Sequence, residues 1–203
     1  MPYVRHTGMP FDPSNYDAMM AYMKPMFDMA DSMPNLKRGR LVRVADDRII
    51  GTTSYTNKEA AEAASELARP AMAGLAEFMT GQPNIMQGEV VWGVDSDNQS
   101  KPAGYIRHTA VSFDPSKFDT MISFFDGVTE QFREVPGLIR TRVVRVLEDR
   151  IIGTSAFENK ASADNAIKEH SGIMANMVEF TTGAPNVRAV SYTHLTLPTI
   201  LLV

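Results

Sequence analysis

The sequence predicts an α+β chain made of two tandem β-α-β-β-α-β units, and three observations carry that prediction. The stretch YVRHTGMPFDPS beginning at Tyr3 returns as YIRHTAVSFDPS beginning at Tyr105. Position n matches position n+102 without a gap from Tyr3 to Asn84, and 35 of those 82 positions are identical. A repeat of that length is a duplicated domain, and the 203 residues leave room for two small units and little else. Within each copy, short β-branched and aromatic runs alternate with helical patterns in the split βαβ order, which predicts an antiparallel sheet with two helices on one face. The boundaries read as 1–94 for the first unit, 95–104 for a polar linker, 105–190 for the second unit and 191–203 for a tail of doubtful origin.

In the first unit, Tyr3 to Thr7 reads as a strand ending at Gly8 and Pro10. Asp12-Pro13-Ser14 starts a helix, with either Asp12 or Ser14 as the cap. From Tyr16, the residues Met19, Met20, Met23, Met26, Phe27 and Ala30 recur at three- and four-residue spacing, the pattern of an amphipathic helix interrupted or bent near Pro25. Arg40 to Val44 and Arg48 to Tyr55 form a hairpin across Ala45-Asp46-Asp47. Asn57 caps an alanine-rich helix that Pro70 kinks or splits. Glu89 to Val94 is a last strand holding Trp92, the one tryptophan.

The second unit repeats the plan, with Gly127 and Gly172 where the first has Pro25 and Pro70. The copies part after Asn186. Ser191 to Val203 resembles the read-through of a cloning adapter, so His194 is given no functional weight. Leu195 to Val203 is nevertheless β-prone enough to pair at a sheet edge, with Pro198 opposing a central strand.

Composition excludes several function classes. The chain has no cysteine, which removes thiol chemistry, disulfides and cysteine-ligated metals. A net charge of -4 with mixed signs argues against a nucleic-acid partner. There is neither a basic leader followed by an apolar run nor a stretch of membrane-spanning length, so a cytoplasmic protein with no membrane partner is expected. No glycine-rich phosphate loop, serine elbow or paired-histidine motif is present, and no metal site or cofactor is predicted. Fourteen methionines offer an adaptable apolar lining.

With the repeat and strand order in place, the chain resembles the dimeric α/β-barrel superfamily, and within it the antibiotic-biosynthesis-monooxygenase-like domains. The resemblance covers about residues 1 to 187 and lies in architecture, without a catalytic signature. It implies two ferredoxin-like βαββαβ units forming an intrachain dimeric α/β barrel, since each sheet has helices for only one face. It further implies a pocket for a small hydrophobic or aromatic molecule, and it allows a homodimer of the two-unit chain. Two functions stay open: a cofactor-independent monooxygenase of an aromatic phenol or quinol, and a non-catalytic hydrophobic-ligand-binding or stress-responsive protein.

Arg5 and His6, like Arg107 and His108, are neighbours on a strand and leave it on opposite faces. In the oxygenase reading His6 is the base, and Arg5 or Arg43 stabilises the anion. Arg43 alternates with the valines of its strand, and a buried arginine there calls for an acidic partner among Asp12, Asp47, Asp114 and Asp149. Tyr22, Tyr55, Trp92, His108 and Arg107 complete the candidate ligand-binding set. Tyr22 and Tyr55 become Phe124 and Phe157 in the second copy, so if one unit carries an active pocket, the first, which keeps these phenols, is the one expected to carry it.

Overall fold

The structure is a computed structural model, and it describes residues 1–30, 33, 35–169 and 171–191. His170 and the tail residue His194 lie outside the described residues, as does the tail from 192 onward. The chain has the α+β class expected, in two compact units that divide between Glu89 and Val90.

The first unit opens with β1 (Tyr3–Pro10), a 3-10 turn over Pro13–Asn15 and α1 (Tyr16–Ala30). Asp12 is the cap that forms: its carboxylate accepts from the Ser14 backbone N–H at 2.9 Å and from the Ser14 hydroxyl at 2.8 Å. The hairpin strands are β2 (Leu36–Ala45) and β3 (Arg48–Tyr55), followed by α2 (Lys58–Leu75), whose Asn57 cap accepts from the Ala60 N–H. β4 (Asn84–Asp95) closes the series. β3 and the start of β4 flank β1, with Arg5 opposite both Thr53 and Gln87; β2 lies outside β3. The helices cover the face bearing Met9, Leu41 and Ile49, where Phe11, Met19, Met23 and Leu75 complete the core.

Pro25 and Pro70 sit inside α1 and α2, and neither helix is split there. Each proline leaves the carbonyl four residues earlier without its helical donor. Those carbonyls belong to Ala21 and Glu66, both exposed positions where water can serve as donor. β4 begins five residues before the strand read from sequence, because its pairing with β1 starts at Gly8 opposite Asn84.

The second unit repeats the order: β5 (Tyr105–Ser112), α3 (Phe118–Gly127), α4 (Thr129–Arg133), β6 (Leu138–Leu147), β7 (Arg150–Phe157), α5 (Lys160–Glu169), α6 (Ser171–Asn176) and β8 (Asn186–Ser191). Gly127 ends a helix, as a residue of low helix propensity favours, whereas Gly172 falls within α6. The later half of β4 belongs to this unit beside β6. It is fixed there by Arg142, which donates to both Asp95 carboxylate oxygens at 2.6 and 2.8 Å and to the Val94 carbonyl at 3.0 Å. Ser96 is buried, and its hydroxyl donates to the Leu138 carbonyl. The start of the stretch read as linker is therefore anchored in the second unit. The helix-side core here runs through Trp92, Val111, Phe113, Met121, Phe125, Leu138 and Phe157.

Candidate functional site

Strand alternation decides what each candidate can reach. On β1, Tyr3, Arg5, Thr7 and Met9 face the helices, and Val4 and His6 face the other way. Arg5 is held on the helix side: its Nε donates to the Gln87 side-chain carbonyl at 2.7 Å, a terminal nitrogen donates to the Ala61 carbonyl at 3.2 Å, and its guanidinium lies 6.0 Å from the Tyr55 ring centre. His6 is buried on the opposite face, with Nδ1 3.0 Å from the Thr52 hydroxyl. Burial pushes its imidazole down to about 4, and the Arg40 guanidinium adds repulsion in the same direction. His6 is therefore neutral at pH 7 and a weak base. The sheet separates it from Arg5.

The remaining first-unit candidates are spread around the same sheet and helices. Arg43 lies over the Tyr16 ring at 4.4 Å and the Phe11 ring at 5.5 Å, and donates to the Asp46 carbonyl at 2.6 Å. Turn carbonyls and aromatic faces thus satisfy it in place of a carboxylate, and Arg145 repeats the arrangement on Phe118, Phe113 and the Glu148 carbonyl. Tyr22 bridges the two helices through a bond to the Ala71 carbonyl at 3.2 Å. Tyr55 is buried beneath Arg5. Trp92 serves the second unit: it stacks on Phe125 at 5.2 Å, meets Phe132 edge-on at 5.3 Å and donates to the Thr129 hydroxyl at 3.2 Å.

The second unit holds a helix-side cavity of about 110 Å³. Its sheet floor presents Arg107, Thr109, Thr141 and Ser155, and its walls are Phe132, Val135, Leu138, Phe157, Ala166, Ile167 and Ile173. The Thr141 and Ser155 hydroxyls are 3.0 Å apart and can share one proton while presenting lone pairs to a guest. Ile173 also borders an outer cleft with Val128, Gln131, Glu134, Pro136, Gly172 and Asn176, so this side chain is shared by the two spaces. His108 is buried across the sheet from this cavity, with Nδ1 3.1 Å from the Thr154 hydroxyl.

Of the sequence candidates, only Arg107 lines this cavity. Thr109, Thr141, Ser155, Phe132 and Ile173 were not singled out from sequence. Comparison of the copies carries a signal for some of them: Thr141 replaces Gly39, Phe132 replaces Ala30 and Ile173 replaces Ala71. Among the described residues no group of three or more metal-ligating side chains is assembled, and no helix is long and apolar enough to cross a membrane.

No family profile and no curated protein sequence matches the chain. Solved structures do. A candidate monooxygenase of Fusobacterium nucleatum is similar with a TM-score of 0.76 at 9% identity, over 96% of this chain and 98% of that one. A candidate monooxygenase of Lactobacillus acidophilus is similar with a TM-score of 0.73 at 11% identity, over 97% and 96% of the two chains. An uncharacterised ferredoxin-fold protein of Listeria monocytogenes, related to antibiotic biosynthesis monooxygenases, gives 0.57 at 10% identity over 96% and 97%. At these identities the likeness concerns architecture, and architecture does not transfer chemistry. The chain has the ferredoxin-type α+β fold of these solved structures.

Proposed function

We propose that this chain binds a compact aromatic molecule, of the size of a single-ring phenol or quinol, in the helix-side cavity of the second unit. The observation that carries this reading is the division of the cavity into apolar walls and a hydroxyl-bearing floor. An apolar space with a few convergent polar groups is the usual form of a small-molecule site. Its volume limits the guest: an apolar cavity of about 150 Å³ takes up benzene, so 110 Å³ admits no more than a single ring and excludes a fused polycycle.

Between oxygenation and binding without turnover, the side chains favour binding. Among the described residues, the cavity lining includes no histidine, carboxylate, lysine or tyrosine to take a phenolic proton. His6 belongs to the first unit and remains neutral down to about pH 4, so its use as the base has little support. Isothermal titration with hydroquinone and phenol should give one site per chain, and Ile173→Trp, which fills the space, should abolish it. Oxygen-electrode traces with hydroquinone should stay flat. Absence of binding to the wild-type chain would refute the site, and oxygen uptake that depends on the protein would restore the monooxygenase reading.

A further inference from the structure

The duplication contains an internal comparison at its first strand. Arg5 and Arg107 occupy equivalent positions on the helix side of equivalent strands. Opposite Arg5 stands Gln87, whose amide oxygen holds the guanidinium at 2.7 Å; opposite Arg107 stands Ala189, which has no side-chain acceptor. Tyr55, whose ring lies 6.0 Å from Arg5, is replaced by Phe157. Among the described residues Arg107 makes no hydrogen bond, ion pair or ring contact, yet it is half-buried at the edge of the apolar cavity. A guanidinium drawn partly out of water without an acceptor is unfavourable and gains from any anion that reaches it.

We propose that Arg107 makes the cavity selective for a single-ring aromatic carboxylate, a benzoate-type anion whose ring lies against Phe132, Phe157 and Ile173. The guanidinium fork matches a carboxylate with two parallel hydrogen bonds. A simple phenol is largely un-ionised at pH 7, given a phenolic pKa of about 10, so the carboxylate is the anion that this arginine meets. Thr109, beside Arg107 on the floor, supplies a further donor. A hydroxybenzoate would also place a phenol against the Thr141 and Ser155 hydroxyls. This inference rests on the cavity being a ligand site, and its test separates the two.

Titration calorimetry at low salt compares benzoate with benzamide, a neutral compound of nearly the same shape, on the wild-type chain, Arg107→Met and Ala189→Gln. A hydrogen bond to a charged group contributes about 1.5–3 kcal/mol, so wild type should prefer benzoate by at least about ten-fold. Arg107→Met should reduce that preference to less than about two-fold. Ala189→Gln restores the acceptor that holds Arg5, keeps Arg107 itself, and should weaken benzoate by about ten-fold even if the methionine variant folds poorly. Equal affinity of the wild-type chain for both compounds would overturn the role of Arg107 and leave the cavity standing as a neutral-ring site. A preference that survives Arg107→Met would also overturn it, since the anion would then be held elsewhere. Binding of neither compound would overturn both readings.

Discussion

Acidification from pH 7 to pH 4 should destabilise the fold through His6. Its imidazole ionises at 6.5 in an unfolded chain and at about 4 in the folded one. Between those values the unfolded state holds a proton that the folded state does not, so stability falls as the pH drops. The contribution of the neutral ring is fully present above 6.5 and is lost as the pH falls through about 4. At about 1.36 kcal/mol for each pH unit separating the two values, the loss below pH 4 is roughly 3 kcal/mol. His6 is 5% exposed, so solvent screening removes little of it. Asp12 and Asp114 act in a lower range. Bonds from Ser14 and Ser116 hold their carboxylates below the usual value, and their stabilisation is lost only as the pH falls below about 4. The assay is urea unfolding followed by near-ultraviolet circular dichroism at half-unit steps from pH 7 to 4. The wild-type chain should lose stability across the window, and His6→Gln should lose roughly 3 kcal/mol less. A flat wild-type profile between pH 6.5 and 4.5, or an equal drop in His6→Gln, would refute the reasoning.

Other consequences concern the second unit and the caps. Trp92 is the only tryptophan, and Phe132 joins it edge-on while lining the cavity. Benzoate or phenol should therefore shift or quench its emission, with a midpoint equal to the calorimetric one; unchanged emission under saturating ligand would place the ligand elsewhere. Phe113 is fully buried, and Phe113→Ala should cost about 3–5 kcal/mol in urea unfolding. A cost below about 1 kcal/mol would contradict that packing. Gly137 has φ +72° and an added Cβ would come within 2.3 Å of the Ser162 hydroxyl oxygen. Gly137→Ala should cost at least about 1 kcal/mol, whereas Gly127→Ala, with open space around it, should cost nothing and should stabilise if α3 and α4 then join. Asn57→Ala should cost about 1 kcal/mol through loss of the bond from the Ala60 N–H.

Much of the fold was legible because the sequence states it twice. Asp12 and Asp114, Asn57 and Asn159, and the Arg-Ile-Ile-Gly-Thr runs of the two hairpins put the same local signals at the same offset. The fourth strand was harder to read. Its early part contains Asn84 and Gly88, which have little strand propensity, and it forms because β1 offers a row of unpaired backbone groups. Prolines were misleading as helix breakers: Pro25 and Pro70 lie on exposed positions, where the freed carbonyls reach water and the helices continue. The candidate site was legible only in part. Strand alternation put Arg107 and His108 on opposite faces, but a list of polar residues does not say which arginine has its acceptor. That depends on what stands across the sheet, at Gln87 and Ala189, beyond the last position where the copies visibly match.

Repetition therefore identifies scaffold, and departure from repetition identifies the candidate site. The histidines on the far face meet the same threonine in both units, and Arg43 and Arg145 meet the same aromatic pair and the same turn. Features formed twice in this way are accounted for by packing. The helix-side floor differs. There the second unit exchanges Gly39 for Thr141, Tyr55 for Phe157 and Gln87 for Ala189. Together these changes add a hydroxyl, remove a phenol and remove the acceptor that ties down the arginine. Relaxed packing alone would account for a lost contact, but it would not account for a cavity with a hydroxyl pair on its floor and a half-buried cation at its edge. The same arginine is structural where glutamine faces it and available where alanine does, which is why exchanging Gln87 and Ala189 between the copies should move anion binding from the second unit to the first if the space around Arg5 admits a ring, and should abolish it if it does not.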